Sequence, residues 1–409
     1  MKILFVAFPE SIHTHRWVSQ IENNNFKIAL FPSLINHKLN ENFNQIIVFE
    51  PFYLTNYFDS QPGNIYISPY FNFLKKFQSF KILKRIIYLF VRKFLKKNLA
   101  DELNKVIQKF NPDIIHSLET QHSGYLVAEA KYKSTTKFPY WVHSTWGIDL
   151  HYFGTKEKHI NLIKNCLSRI DHLIVEGNRD LDLARLFGYK KEISIFPSVG
   201  GGFHIFPLTS QKTSGRKVIL IKGLQDECRN AICSLHAVED NIQYLKDYKI
   251  FVYSAENLII KYVNEIKDRT KLDIEILEYL DYKSMNELVK TARISMCTNF
   301  TDGVPNSMIE AMIYGAFPIQ SDTSMANEWI INNLTGMIIP ANNRKDAAEA
   351  LRCALLNDNM VNSAAIINNK KVKENLDYEL IKNRTILLYT QIYNTLNKYN
   401  DKRNKSISS

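Results

Sequence analysis

The sequence predicts an α/β protein of two Rossmann-like domains facing each other across a cleft, and three observations carry that expectation. The chain has 409 residues, too many for one hydrophobic core and suited to two domains of roughly 200 residues each. Short apolar, β-branched runs alternate with helix-period stretches from end to end, the pattern of parallel sheets covered by helices on both faces. A polar stretch rich in Ser and Thr, PLTSQKTSGR at 207–216, splits the alternation into two series and reads as a linker.

In the N-terminal series (1–206) the expected strands are ILFVAF (3–8), KIALF (27–31), QIIVF (45–49), DIIHS (113–117), YWVHS (140–144), HLIVE (172–176) and ISIF (193–196). Helical periodicity fills gaps between them, as in LADELNKVIQKF (99–110) and NLIKNCLSRI (161–170). The C-terminal series (217–377) offers KVILIK (217–222), KIFVYS (249–254), DIEIL (273–277), ISMC (294–297), FPIQS (317–321) and MIIP (337–340). The helical stretch 378–400 has no strand after it and is expected to pack back on the N-terminal domain. Ligands of open α/β sheets sit at the carboxyl ends of strands, so the residues just after each strand bear on function.

Five scattered cysteines without a CxxC pair suit a reducing cytoplasm. The opening MKILFVAFPES reads as a first strand rather than a signal peptide, and no apolar run approaches the ~18 residues needed to span a bilayer. The net charge of +11 is uneven, because residues 60–100 hold nine Lys or Arg and no acid. Within them, LKKFQSFKILKRIIYLFVRKFLKKN (74–98) mixes Phe, Ile and Leu with basic clusters at both ends. That composition suits a helix lying on an anionic membrane surface, which would place the protein peripherally at the inner face. A core helix with a solvated basic edge is the other reading. Nucleic acid is not an expected partner, since a phosphate groove has little use for so many aliphatic side chains.

TDGVPNSMIEAMIYGAFPIQSD (301–322) raises a sharper question. A loop containing Asp302, Gly303 and Pro305 leads into an apolar helix starting near Asn306 or Ser307, and Glu310 sits inside that helix. An ionised Glu buried there costs several kcal/mol unless it is hydrogen-bonded. Helical spacing puts Glu310 on the face of Asn306 and Ser307, near an N-terminus that favours an anion such as phosphate. A carboxylate one turn deeper could then accept from the hydroxyls of an attached ribose. Alternatively, Asp302 makes an Asp-Gly turn and Glu310 pairs with a buried Arg or Lys.

The run DGVPNSMIEAMIYGAFPI resembles the donor-site signature of glycosyltransferase family 4, retaining enzymes of the GT-B fold. The resemblance implies that Asp302 contacts the donor sugar, that Glu310 binds the nucleotide ribose, and that Gly303 and the backbone near Asn306 and Ser307 hold the diphosphate. The family's usual first Glu is Asp here. ILIKGLQDECRNAICSLHAV (219–238) is similar to the family's phosphate-binding segment, with Arg229 in place of its Lys and Leu224 in place of its Arg; Lys222 could compensate. Cations facing a helix N-terminus would neutralise a leaving diphosphate without a metal.

On the acceptor side, WVHSTWGIDLHYFG (141–154) is similar to the family's His-Gly-x-Asp segment and contributes Trp146 and Asp149. SIHTHRWVSQI (11–21) contributes His13, His15 and Arg16 from a loop entering a helix, and DIIHSLETQHSGYL (113–126) contributes His116 and His122. Surface or core roles stand open for each of these. PSVGGGF (197–203) takes the place of a family turn near the hinge. No metal-ligand spacing or P-loop is present, and no Gly-x-Gly-x-x-Gly follows the first strand.

The resemblance therefore implies a retaining glycosyltransferase that uses a nucleotide-diphosphate sugar, with a UDP-sugar favoured, and neither metal nor further cofactor. Its acceptor would be a glycan or lipid-linked glycan, as in cell-surface polysaccharide synthesis. A sugar-nucleotide epimerase of the same architecture and a non-catalytic membrane-associated scaffold are the alternative readings.

Overall fold

A computed structural model describes residues 1–22, 24–34, 43, 46–50, 65–67, 99–198, 200–278 and 280–407. The basic stretch 74–98 lies outside the described residues. The chain forms two compact units, one of Met1–Gly202 with Glu379–Ser409 and one of Phe203–Tyr378.

The first unit is built on an eight-stranded sheet, parallel throughout, in the order β4-β3-β2-β1-β5-β6-β7-β8. Its strands are β1 (Lys2–Ala7), β2 (Lys27–Pro32), β3 (Ile47–Glu50), β4 (Ile65–Ile67), β5 (Ile114–Leu118), β6 (Tyr140–Ser144), β7 (His172–Val175) and β8 (Ile193–Ile195). Seven of these coincide with the runs read from sequence. The eighth, β4, has only three residues, too few to show a period. Leu4, Val6, Phe31, Ile115, Trp141 and Val175 face Leu103, Val127, Ile163 and Leu167 of the covering helices in one core. Each such side chain contributes about 1.5–3 kcal/mol by leaving water.

The helix Tyr378–Ile407 buries Tyr389 in the first unit, against Trp17, Phe26 and His116. Trp17 Nε1 donates to the Tyr389 hydroxyl at 2.9 Å, and that hydroxyl lies 2.6 Å from His116 Nδ1. Because an indole N–H can only donate, the tyrosine oxygen accepts from Trp17 and its own hydrogen goes to His116 Nδ1. His116 is thereby fixed as the Nε2–H tautomer, donating to Ser144 Oγ at 2.8 Å.

The second unit holds a six-stranded parallel sheet in the order β11-β10-β9-β12-β13-β14. Its strands are β9 (Val218–Lys222), β10 (Lys249–Tyr253), β11 (Asp273–Leu277), β12 (Ala292–Cys297), β13 (Phe317–Ser321) and β14 (Met337–Ile339), at the places the alternation indicated. The polar stretch 207–216, expected as a linker, is part of this unit. Buried Thr213 donates to Gly315 O at 2.7 Å, and buried Arg216 donates to Ala292 O and Tyr314 O. Thr213 and Arg216 thus tie the stretch to the domain, which composition alone does not reveal. Phe203 N donates to Leu376 O and Tyr378 N donates to Phe203 O, so the segments next to the two chain crossings are hydrogen-bonded side by side.

Strand order reverses between β1 and β5 in the first sheet and between β9 and β12 in the second. Such switch points open a crevice at the carboxyl ends of the strands, which positions the loops described next. Among the described residues no helix is long and apolar enough to cross a membrane.

Candidate functional site

In the second unit the loops leaving β9 and β12 are stitched together across the switch point. Asn230 N donates to Thr298 O at 3.0 Å, Phe300 N donates to Cys228 O at 2.8 Å, and Arg229 forms an antiparallel bridge with Asn299. Asp302 is held from both sides: Asn299 Nδ2 donates to Oδ2 at 2.8 Å and the Gly303 N–H donates to Oδ1 at 2.9 Å. Asn299 is itself buried, its N–H donating to Ser321 Oγ at 2.9 Å and its carbonyl accepting from the Thr323 hydroxyl.

The helix that follows, Asn306–Tyr314, buries six of its nine residues; Asn306, Ser307 and Glu310 are the other three. Spacings of three and four residues put them on one face. Neither Asn306 nor Ser307 is the N-cap. Pro305 occupies that position, with no side-chain capping bond. Instead Asn306 Oδ1 is buried without a hydrogen-bond partner, and Ser307 Oγ lies beside the Tyr253 hydroxyl and the Cys297 thiol. First-turn N–H groups at a positive helix end suit an anion, and the unpartnered acceptor Asn306 Oδ1 beside them suits a hydroxyl attached to it. Glu310 is half-buried rather than fully enclosed. Its neighbour Tyr253, at the end of β10, has its phenol raised well above the ordinary value by burial first, then by Cys297 and by the Glu310 charge.

Lys222 is half-buried at the end of β9, in register with Tyr253. Its charge partly offsets the burial that raises the Cys297 thiol at the end of β12. Arg229 is more exposed, and its guanidinium pairs with Asp226 at 2.5 Å. The structure thus brings Asp302, Gly303, Asn306, Ser307, Glu310, Lys222 and the Arg229 backbone to one strand edge. The Arg229 side chain arrives there already engaged. Among the described residues no group of three or more His, Cys, Asp or Glu is placed to hold a metal.

In the first unit the loops after β1, β5 and β6 meet at the other switch point. His13 and His15 lie in the helix Ile12–Ser19, not in a loop. Two positions apart on a helix, they diverge by roughly 200°. His13 stands edge-on to Trp146 with centroids 5.6 Å apart, and His15 stands edge-on to Phe43 at 5.2 Å. Phe8 lies 5.7 Å from Trp146 and 5.3 Å from His122. Phe8, His13, His122 and Trp146 therefore form one aromatic cluster drawn from the segments that follow β1, β5 and β6. Arg16 borders it: a Cβ built on Gly200 would lie 3.2 Å from Arg16 Cδ and 3.3 Å from His13 Nδ1. At Gly201, φ is +79° and a Cβ would fall 2.2 Å from the Gln20 amide, so this run needs glycine to lie against the helix.

The loops are fixed by buried acids. Glu119, at φ +76°, accepts from the N–H groups of Gln121, His122 and Ser123 and from His122 Nδ1 at 3.0 Å. Asp149 accepts from the N–H groups of Thr120 and Trp146, both at 2.8 Å, and burial followed by the Glu119 charge pushes its carboxyl well up. Asp149 consequently lies beneath the surface and orients Trp146 instead of lining the site. His116 is likewise withdrawn, fully buried between Tyr389 and Ser144.

Phe8, Glu119, Asn299 and Tyr253 were not singled out from sequence. Phe8 and Tyr253 end apolar strands and read as core. Glu119 reads as a surface acid, and its positive φ has no sequence signature outside Gly and Asn.

Residues 261–373 match the family model of glycosyl transferases group 1, and residues 76–177 match that of glycosyl transferase 4-like proteins. With one match in each series, the chain is a GT4-type glycosyltransferase. No curated protein matches it by sequence. Solved structures share its fold at low identity. Sucrose-phosphate synthase from Thermosynechococcus elongatus is 13% identical, with a TM-score of 0.69 over 97% of this chain and 100% of its own. Anabaena Alr3699/HepE in complex with UDP is 11% identical, with a TM-score of 0.67 over 96% and 100%. The apo lipopolysaccharide outer core galactosyltransferase WaaB is 15% identical, with a TM-score of 0.64 over 95% and 100%. The fold is GT-B.

Proposed function

We propose that the protein is a retaining, metal-independent hexosyltransferase that moves a sugar from a nucleotide-diphosphate sugar to a glycan or lipid-linked acceptor in cell-surface polysaccharide synthesis. The observation that carries this reading is the first turn of Asn306–Tyr314, where unpartnered Asn306 Oδ1 and the Ser307 hydroxyl share a face with Glu310 at the helix N-terminus. The first-turn N–H groups and the Ser307 hydroxyl can donate to the diphosphate, Asn306 Oδ1 and Glu310 can accept from the ribose hydroxyls, and braced Asp302 suits the hydroxyls of the donor sugar. Lys222, assisted by Arg229 once its guanidinium turns from Asp226, would stabilise charge on the departing diphosphate. With the acceptor hydroxyl on the face of the leaving group, the departing phosphate oxygen takes its proton as the new glycosidic bond forms. A uridine nucleotide is favoured, in keeping with the UDP held by HepE.

The basic and apolar composition of 74–98 supports attachment to an anionic membrane at the cytoplasmic face. Co-sedimentation with anionic but not neutral liposomes, abolished by Lys→Glu at 93, 96 and 97, tests it; equal binding to both kinds of vesicle would overturn it. The donor assignment is tested by thermal shift against UDP-, GDP- and ADP-sugars. Asp302→Asn should retain the nucleotide-induced shift and lose turnover. No shift with any nucleotide sugar would overturn the reading.

A further inference from the structure

The aromatic cluster of the first unit discriminates between acceptor chemistries. We propose that the acceptor presents a pyranose ring there, its C–H face against Phe8 and Trp146 and its hydroxyl rim toward His13 and His122. This rests on the reading of that strand edge as the acceptor side.

Three features carry it. Phe8 and Trp146 are both half-buried, offering ring surface at the carboxyl edge of β1 and β6 rather than filling the core. A pyranose has one apolar face of axial hydrogens and a polar rim, and an aromatic ring with polar neighbours matches both parts. The second feature is the indole of Trp146, whose Nε1–H is buried without a partner. A sugar hydroxyl at the ring edge would satisfy it, whereas an alkyl chain would leave it unsatisfied. The third is rigidity. The Trp146 N–H is tied to Asp149 at 2.8 Å, and Arg179 Nη2 holds the next carbonyl, Gly147 O, at 2.8 Å. Arg179 is itself paired with fully buried Asp180 at 3.0 Å. A ring fixed in this way loses little freedom on binding.

The segment after β5 offers no backbone cradle for a lipid phosphate. The backbone N–H groups of Gln121, His122 and Ser123 would be the natural cradle for a phosphate, but all three already donate to the Glu119 carboxylate. A second anion would meet that fixed negative charge directly behind His122.

Saturation-transfer NMR on the whole protein with saturating UDP tests the idea. The probes are methyl α- and β-D-hexopyranosides (gluco, galacto, manno and N-acetylglucosamine) and, separately, decyl phosphate. At least one pyranoside should receive saturation at its ring C–H protons. Its affinity should fall at least about fivefold in Trp146→Leu and in Phe8→Leu, and partly recover in Trp146→Phe. Affinity for UDP should stay unchanged in all three variants, which also reports that they are folded. Absence of any pyranoside signal, decyl phosphate binding in its place, or equal affinity in Trp146→Leu would each overturn the proposal. UDP-sugar hydrolysis measured without acceptor separates the cases: if it persists, only the sugar shelf is wrong, and if the nucleotide fails to bind, the donor reading itself has failed.

Discussion

Asn299 aims Asp302. Its side-chain amide donates to one carboxylate oxygen at 2.8 Å while the Gly303 N–H holds the other, so the shorter acid of this sequence has a fixed direction. Asn299→Ala should therefore lower kcat about tenfold or more, the scale of one hydrogen bond to a charged group. UDP affinity should not change, because Glu310 sits on a different element. Steady-state kinetics with calorimetric UDP binding checks this; a parallel loss in both quantities would make Asn299 a general structural residue.

Glu310→Gln bears on the nucleotide instead. A neutral amide accepts less strongly from ribose hydroxyls, so nucleotide affinity should fall at least about tenfold in a folded variant. Unchanged affinity for the correct nucleotide sugar would remove Glu310 from the site.

Leaving-group stabilisation by Lys222, Arg229 and a helix terminus predicts full turnover in excess EDTA. Loss of activity that Mn²⁺ or Mg²⁺ restores would refute that account.

The first unit should weaken in mild acid. Burial holds His143 at about 3 and His116 well below its ordinary value, with lesser contributions to His116 from His143 and His172. Both are therefore neutral when folded, whereas an unfolded histidine gains a proton near pH 6.5. Below that pH the unfolded state binds more protons, so stability is lost as pH falls from about 6.5 toward the folded values, by up to about 1.4 kcal/mol per pH unit for each histidine. Denaturant midpoints between pH 7 and pH 5 should show this slope, and His143→Gln should reduce it. An unchanged slope in His143→Gln would mean that this imidazole titrates normally, since the raised carboxyl of Asp149 contributes a slope of the opposite sign.

The alternation of runs revealed both sheets because parallel strands buried on two faces leave an unbroken apolar signature. It also placed Asp302, Ser307 and Glu310 correctly at a strand-to-helix turn, since an acid in an apolar helix is conspicuous. What it missed depends on contacts far apart in sequence. His116 and Asp149 looked like surface candidates because nothing local shows that Tyr389 or Thr120 will cover them. The 207–216 stretch looked like a linker because Arg216 finds its carbonyl partners 76 and 98 residues away.

The bond between Trp17 and Tyr389 spans 372 residues, and the entire second unit is encoded between them. At synthesis rates of about 5–20 residues per second, that interval corresponds to roughly 20–75 s on the ribosome. Throughout it the nascent first unit holds an indole N–H and an imidazole whose common partner has not yet been made. The domain begun first is therefore the one completed last, and the second unit can reach its final structure while the first still waits for its closing helix.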